Sequence, residues 1–428
     1  LSTKKKKQAI LLLLFASFSG LAEMLMVYSI IPFLSIFTNE QSESFNFFLF
    51  LYNFFYLEQS FNYFHFTCLV FLLIVLIASL CKIFCLFFIG KLSALIGSEL
   101  GNKAYNIILN LEFVDFMKID RSSIISDQVY KVHYLIEFIL TPFFNIFTST
   151  ISLLCIVSIL FITNPSITLF LTIAIGSSYF LVSILVNKKI SSNSETLIKN
   201  QESLIKLLRE SFSSIRQIIL RNLQIFFSIQ QSKIDIPMRL AYANNSFLSS
   251  FPRYLIELLG IIILVISALL FISSEKNAIS FISTLGVFAF GAQRMLPSMQ
   301  HLYNGFVNMK AYKSSLDRII FILSGKRKFG KDPQYNLKLD KSIEFKKVKF
   351  SYDQDNIKLV KKLDLNFVLG DMVGVEGKTG SGKSTMIDLL LGFLKPTSGK
   401  IFFDGRDIND KKNLHFKESM QSRISHVP

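Results

Sequence analysis

Long apolar stretches dominate the first three-quarters of the chain and alternate with polar segments. Several of them carry no Asp, Glu, Lys or Arg over about 18 residues or more, the length that a helix needs to cross about 30 Å of hydrocarbon. The pattern therefore predicts a membrane protein whose first part is built from helical spans. Six spans are predicted, at about 9–37, 67–90, 138–162, 166–187, 254–273 and 278–297.

The connections between the predicted spans differ in length and in charge. Residues 38–66 contain no Lys or Arg, whereas residues 91–137 contain five and residues 188–253 contain ten. Basic residues accumulate on the cytoplasmic side of membrane proteins, so both long connections and both chain ends are predicted to be cytoplasmic. Apolar residues recur at helical spacing within the long connections, which indicates helices that continue out of the bilayer.

Residues 45–66 hold twelve aromatic side chains, yet they are not predicted to form a seventh span. Only 14 uncharged residues lie between the flanking glutamates, fewer than the roughly 20 that a helical span needs. A polar stripe repeats every seven residues, and the apolar face carries Phe47, Phe50 and Phe54 at core-type spacing. The pattern predicts a helix on the outer membrane surface, either as a lid packed on the spans or as a surface that meets a lipid.

Among the ionisable residues inside predicted spans, two are candidates for a functional role. Glu23 is in the middle of the first span, and Arg294 is near the end of the sixth. Because charge is costly in hydrocarbon, such residues are by default candidates for substrate contact. The alternatives are an ion pair between two spans or, for Arg294, a side chain that extends to the membrane surface.

Composition supports the membrane interpretation and narrows the partners. Of the 428 residues, 51% are hydrophobic and 18% are charged, and the mean hydropathy is +0.46. The net charge of +16 is compatible with nucleic-acid binding, but in a membrane protein basic residues mark cytoplasmic faces, so no nucleic-acid partner is expected. The four cysteines fall in or beside apolar runs and are interpreted as packing residues.

The pattern changes after Leu323. Residues 324–341 are polar, basic and rich in turn formers, as is typical of a linker. From Ser342 onward apolar residues alternate with polar ones in two successive sets. This pattern predicts strands, with a bulge between the two sets. A turn at Gly370-Asp371 and a short buried strand at 372–376 (MVGVE) are predicted to follow.

The segment after this strand carries the most specific motif in the chain. It fits G-x-x-x-x-G-K-[ST] between a predicted strand and an amphipathic helix. The predicted nucleotide-binding residues are those of the motif and the threonine that follows it: Gly377, Lys378, Thr379, Gly380, Ser381, Gly382, Lys383, Ser384 and Thr385. Glycines let backbone N–H groups turn toward phosphate oxygens, and the helix N-terminus adds a positive dipole end. The motif predicts ATP binding, with Lys383 on the β and γ phosphates and the Ser384 hydroxyl on Mg²⁺.

Six spans, two long cytoplasmic connections, a linker and a phosphate loop together resemble an ABC exporter half-transporter. The stretch VKFSYDQDNIKLVKKLDLNF is similar to the opening of the family's nucleotide-binding domain, and Tyr352 matches the aromatic residue that stacks on adenine. LKPTSGKIFFDGRDI resembles the strand and turn after the phosphate-loop helix. The resemblance implies an all-α six-helix transmembrane domain at 1–323, a linker at 324–341, and an incomplete α/β P-loop nucleotide-binding domain at 342–428.

The same resemblance implies an ATP-hydrolysing translocase that works as a homodimer, with coupling helices near 111–117 and 211–217 that dock on the nucleotide-binding domains. The family's Mg²⁺-sensing glutamine, signature motif, Walker B aspartate, catalytic glutamate and switch histidine are not found in this sequence. Asp404 and Asp407 lie in a turn and do not follow an apolar strand, so they are not taken as Walker B. No catalytic residue beyond Lys383 is assigned, and the expected activity is that of the complete protein.

Two stretches resemble one subgroup of the family, the flippases that move lipid-linked oligosaccharides for bacterial protein N-glycosylation. They are FAFGAQRMLPSMQHLYNGF and SFLSSFPRYLIELLG. The resemblance implies a polyprenyl-pyrophosphate oligosaccharide as substrate and the bacterial cytoplasmic membrane as location; Arg294 would suit the pyrophosphate, and the external helix would meet the lipid tail. The alternatives are a lipid A or multidrug exporter of the same fold and, from another class, an ATP-gated channel or regulator.

Overall fold

The structure is a computed structural model and describes residues 2–38, 52, 63–272, 278–324, 341–351, 360–410, 413–425 and 427. The chain forms two compact units. The first contains residues 1–104 and 121–321, and the second contains residues 105–120 and 322–428. The chain therefore passes between the units three times, after residues 104, 120 and 321.

The first unit consists of helices, several of which are much longer than a bilayer is thick. In chain order the helices of the structure up to the linker are α1 Thr3–Thr38, α2 Tyr63–Leu109, α3 Phe113–Met117, α4 Arg121–Ser126, α5 Val132–Leu135, α6 Thr141–Thr163, α7 Pro165–Ser213, α8 Ile215–Leu220, α9 Gln224–Ile272, α10 Ala278–Ala311 and α11 Lys313–Ser324. Two π-helical turns, Asp127–Lys131 and Ile136–Leu140, join α4, α5 and α6 into one continuous rod.

Four of the helical rods in the described residues are long and apolar enough to cross a membrane: Thr3–Leu34, Tyr63–Leu109, Arg121–Thr163 and Pro165–Ser213. They contain the second, third and fourth predicted spans and residues 9–34 of the first, so these four spans are confirmed as apolar helices. The predicted fifth and sixth spans fall in α9 and α10, and of these two spans only residue 273 lies outside the described residues.

The helix α7 runs without a break from the fourth predicted span into the long connection, as the helical spacing predicted. It has 49 residues, which corresponds to a length of about 74 Å at 1.5 Å per residue, against about 30 Å of hydrocarbon. Its start follows from the sequence of the turn, because the Asn164 side chain accepts a hydrogen bond from the Ile167 N–H at 3.2 Å and Pro165 occupies the first helical position. Both features are typical helix-start signals.

Close helix packing in the first unit depends on small residues. The buried core shared by α1, α6 and α10 contains Val27, Ile156, Leu160 and Met295. At Gly291 a Cβ atom would come within 2.8 Å of the Leu160 side chain, so this site accepts only glycine without a shift. Small residues of this kind let membrane helices approach closely.

The second unit holds a four-stranded antiparallel sheet in the order β2-β1-β3-β4. Its elements are β1 Ser342–Phe350, β2 Val360–Val368, α12 Lys383–Leu390, β3 Ser398–Phe403, β4 Arg406–Asp407 and α13 Leu414–Gln421. The core between sheet and helices includes the fully buried Phe345, Leu389, Leu394 and Ile401. The expected strand alternation produces this core, because one face of β1 and β3 points toward α12 and α13.

The predicted bulge in β1 is confirmed. The register of β1 against β2 shifts between Phe345 and Val348, and Lys347 adopts a positive φ of 51° at this point. The predicted turn after β2 is also present: Gly370 has a φ of 94°, and the Val368 N–H donates to the Asp371 carboxylate at 2.9 Å.

The prediction of a buried strand at 372–376 is wrong. These residues form no strand, and the side chains of Met372, Val373 and Val375 are exposed. An apolar run of this kind needs a strand on each side for its backbone hydrogen bonds, and no strand of the described residues pairs with it.

Candidate functional site

The phosphate-loop motif forms a tight turn in front of α12. Gly380 and Gly382 both have positive φ, 82° and 92°, and Gly382 directly precedes the first residue of α12. At Gly377 a Cβ would lie 2.7 Å from the Ser381 hydroxyl. Gly380 and Gly382 therefore suit the left-handed backbone of the loop, and Gly377 avoids a shift of the Ser381 side chain. The loop leads into a helix N-terminus, where backbone N–H groups can face an anion.

Lys383 lies across the loop that precedes it. Its ammonium donates hydrogen bonds to the carbonyl oxygens of Gly377 and Lys378, the second at 3.1 Å. The side chain thus closes the turn from one side while its positive charge stays inside the loop. The arrangement fits a phosphate group, because loop N–H groups, a helix dipole and an ammonium converge on one small volume.

The core holds α12 in the orientation that the loop needs. Leu389 is fully buried in the core of the second unit, and Thr385 is buried one turn earlier. The helix ends at Gly392, which has a φ of 67°, and the Gln421 side chain donates to the Leu391 carbonyl at 3.0 Å. These contacts fix the helix axis, so its first turn is positioned by packing rather than by the loop alone.

The other predicted nucleotide residues are only partly described. Ser384, the candidate Mg²⁺ ligand, is exposed at the second position of α12, next to Lys383. Tyr352, the candidate adenine-stacking residue, lies outside the described residues. Asp404 and Asp407 sit at the β3–β4 turn, where Asp404 accepts hydrogen bonds from the N–H groups of Lys341 and Ser342 at 2.8 and 3.0 Å.

The candidate substrate residues of the first unit have protein partners. The buried Glu23 of α1 forms an ion pair with Lys82 of α2 at 2.7 Å, and Arg294 of α10 lies over the Phe290 ring at 5.2 Å. The structure does not bring Glu23 and Arg294 together in a described contact. Phe47, Phe50 and Phe54 lie outside the described residues.

Sequence reasoning missed Lys82, although a signal was present. It is the only Lys or Arg in the second predicted span, 67–90, where its charge stands within an otherwise apolar run. An opposite charge in the neighbouring span, Glu23, could have been paired with it, because charges in hydrocarbon usually find a partner.

The short helix α3, which belongs to the second unit, packs on the nucleotide-binding domain. Its Phe113 ring stacks on the Phe393 ring with 5.1 Å between centroids, and the preceding Glu112 lies 3.6 Å from the Lys395 ammonium. Close by, burial lowers the pKa of Lys417, and the Lys395 charge lowers it further, whereas Glu112 acts in the opposite direction. The contact is where the resemblance implied a coupling helix, and Phe393 is the residue that sequence reasoning missed.

Comparison with protein families matches this architecture to one class. The ABC transporter transmembrane region family covers residues 9–290, and the ABC transporter family covers residues 360–428. Since the first match spans more than half of the chain, the chain belongs to the ABC transporter family. It is a multi-pass membrane protein with an ABC membrane domain and part of a nucleotide-binding domain.

Several relatives that match most of the chain are named as export or transport proteins. It is 24% identical to an export ATP-binding/permease protein of Rickettsia prowazekii over 362 residues, which are 83% of this chain and 61% of that protein. It is 24% identical to the nisin transport ATP-binding protein of Lactococcus lactis subsp. lactis over 354 residues, 78% of this chain and 56% of that protein.

A third relative matches a shorter segment. The chain is 36% identical to an ATP-dependent lipid A-core flippase of Chromohalobacter salexigens over 73 residues, 17% of this chain and 13% of that protein. The chain spans about three-fifths of the length of the curated relatives that match it along most of its residues.

Proposed function

We propose that the complete protein is an ATP-driven exporter that moves a lipid-linked substrate across the membrane. The observation that carries the proposal is the phosphate loop at the N-terminus of α12 in a chain with an ABC membrane domain. Membrane helices and an ATP site in one chain suit a pump, because nucleotide binding can bias one conformation over another.

The nucleotide is proposed to be MgATP. Loop N–H groups from Gly377 to Ser384 and the Lys383 ammonium would hold the phosphates, and the Ser384 hydroxyl would ligate Mg²⁺. On binding a phosphate, Lys383 would exchange its hydrogen bonds to the neutral Gly377 and Lys378 carbonyls for bonds to an anion, in which both partners are charged. Tyr352 is proposed to stack on the adenine.

The substrate is proposed to be a polyprenyl-pyrophosphate oligosaccharide in the bacterial cytoplasmic membrane. Arg294 supports an anionic head group, because its guanidinium lies in the sixth predicted span and has a described contact with the Phe290 ring rather than with a carboxylate. The aromatic segment with Phe47, Phe50 and Phe54 is proposed to meet the lipid tail. A lipid A or hydrophobic-compound exporter is the second candidate, favoured by the segment shared with the lipid A-core flippase.

A homodimer is proposed as the working assembly. This sequence holds a phosphate loop and a membrane domain, and two copies would supply the pair of each that alternating access needs. Support comes from α8, which exposes Ile219 and Leu220. An apolar helix tip of this kind marks a protein contact, and the nucleotide-binding domain of a second copy is the proposed occupant.

The experiment that tests the ATP site is the substitution Lys383→Ala in the complete protein. Loss of charge-assisted hydrogen bonds worth about 1.5–3 kcal/mol is expected to weaken ATP binding about 10- to 100-fold and to abolish hydrolysis. Fluorescent-nucleotide titration and phosphate release measure the two effects.

Lys400→Ala is the matched control, because Lys400 is an exposed lysine of the same domain whose ammonium lies 3.4 Å from the Asp407 carboxylate, away from the loop. Binding and hydrolysis are expected to stay unchanged in this control. Wild-type hydrolysis by the Lys383→Ala protein would overturn the assignment of the site.

A further inference from the structure

One carboxylate in the first unit is completely buried and holds two cations. Asp127, the first residue of a π-helical turn, has no exposed surface. Its Oδ2 accepts a hydrogen bond from the Arg318 Nε at 2.9 Å, and its Oδ1 lies 2.8 Å from the Lys131 ammonium. Lys131 in turn donates to Glu202 of α7 at 2.9 Å. We call Asp127, Lys131, Glu202 and Arg318 the ionic cluster.

The ionic cluster is adjacent to two of the three places where the chain passes between the units. Only the short helix α4 lies between Asp127 and the point, at residues 120–121, where the chain passes from one unit to the other. Arg318 lies in α11, the helix that contains the crossing at residues 321–322. The Asp127–Arg318 contact therefore joins two crossing segments that are 191 residues apart in sequence.

Stability alone does not account for a buried ion pair such as that of Asp127 and Lys131. Removal of charges from water is costly, and replacement of a buried ion pair by apolar residues of similar volume is often neutral or stabilising. The cluster also sits on a π-helical turn, a rare geometry that is frequent at functional sites. Its four members balance as two anions and two cations; Lys131 has Glu202 as a second partner, whereas the described ionic partner of Arg318 is Asp127.

We infer that Asp127 is a positioning residue for ATP coupling: it clamps the two crossing segments together, so that movement of the nucleotide-binding unit reaches the membrane helices as one rigid displacement. The inference rests on the proposed function. With a neutral Asn at position 127, Lys131 stays paired with Glu202, but Arg318 loses its described ionic partner. The helix α11 is then no longer held to the π-helical turn that follows α4. The protein then still binds ATP, but its membrane helices no longer respond.

The test uses a response that needs no transported substrate. In the complete protein, with all of its cysteines replaced by alanine, among them the four of this sequence, a reporter is placed by Gln293→Cys. Gln293 lines a cavity of about 520 Å³ among α1, α7, α9 and α10. The rate of its reaction with a water-soluble maleimide is measured with and without MgATP, and ATP affinity is measured separately with a fluorescent analogue.

With Asp127 present, MgATP is expected to change the reaction rate at least about fivefold, the lower end of typical coupling between sites. In Asp127→Asn this change is expected to disappear while ATP affinity stays the same. Arg318→Gln is the second variant, because Arg318 is partly exposed and its loss is milder for folding; it is expected to lose the response as well. Asp235→Asn, which breaks the exposed Asp235–Arg239 pair, is the control and should keep the response.

The inference is overturned if either cluster variant, folded and able to bind ATP, keeps the full change in rate. It is also overturned if ATP affinity falls in parallel with the response, since that is the signature of a purely structural role. If Asp127→Asn does not fold, Arg318→Gln decides alone. A parent protein that binds ATP with no change in rate contradicts ATP-driven motion itself and, with it, the inference.

Discussion

At the scale of single residues, the pair of Glu23 and Lys82 decides how an intramembrane charge is interpreted. Glu23 is buried and Lys82 is partly exposed, and their side chains meet at 2.7 Å between α1 and α2. The ion pair between spans was the alternative to a substrate contact, and the structure contains that pair. Glu23 can therefore serve the packing of the first two helices without touching a substrate.

Charge exchange separates the two roles of Glu23. Glu23→Gln leaves Lys82 without this carboxylate and is expected to destabilise the protein by about 1 kcal/mol, the size of polar contacts between membrane helices. The double variant Glu23→Lys with Lys82→Glu restores the pair and is expected to restore both the midpoint of thermal unfolding and ATP-driven transport. Restored stability without transport would instead assign Glu23 to the substrate.

At the scale of elements, the strands of the second unit depend on one close approach between β1 and β3. The bulge at Lys347 directs its carbonyl oxygen toward Gly399, where a Cβ atom would lie only 2.3 Å away. Gly399 also has a φ of 83°. By contrast, Gly405 in the β3–β4 turn has a φ of 79°, but a Cβ atom added there would meet no other atom within 4 Å.

These two glycines form a matched pair for measurement. Gly405→Ala is expected to cost about 1–2 kcal/mol, from a left-handed backbone conformation alone. Gly399→Ala adds a backbone clash and is expected to cost about 1–3 kcal/mol more, read as a lower unfolding midpoint of the nucleotide-binding domain. Equal losses in the two variants would show that the bulge does not constrain β3.

The elements that the sequence predicts correctly are those that depend on neighbouring residues. The alternation in β1 and β2, the bulge, and the Gly370 turn each depend on a few neighbouring residues, and all are present. The strand predicted at 372–376 depends instead on partner strands elsewhere, and none of the described strands pairs with it. The π-helical turns were not foreseen either, because tertiary contacts such as those of Asp127 support them.

At the scale of the whole molecule, hydrophobic pattern and charge asymmetry predicted a multi-pass membrane protein followed by a phosphate-binding domain. Four apolar helices and two family matches agree with that organisation. The unit boundary was not visible in the sequence. Residues 105–120 belong with the second unit because Phe113 stacks on Phe393, a contact between segments that are far apart in the chain.

The substrate is the part of the account that depends on the complete assembly. The cavity lined by Ile30, Leu171, Glu257 and Gln293 is largely apolar, as a path for lipid would be. Its lining does not encode which head group is carried. Substrate identity therefore has to be measured as movement of a defined lipid.

The most direct measurement is ATP-dependent translocation by the complete protein in proteoliposomes loaded with polyprenyl-pyrophosphate oligosaccharide. The account predicts that the oligosaccharide crosses the bilayer with MgATP, and that it does not cross with Lys383→Ala. Movement of lipid A or a hydrophobic drug, with the oligosaccharide left in place, would contradict the proposed substrate. Ion flux down a gradient without ATP hydrolysis would contradict the assignment as a pump.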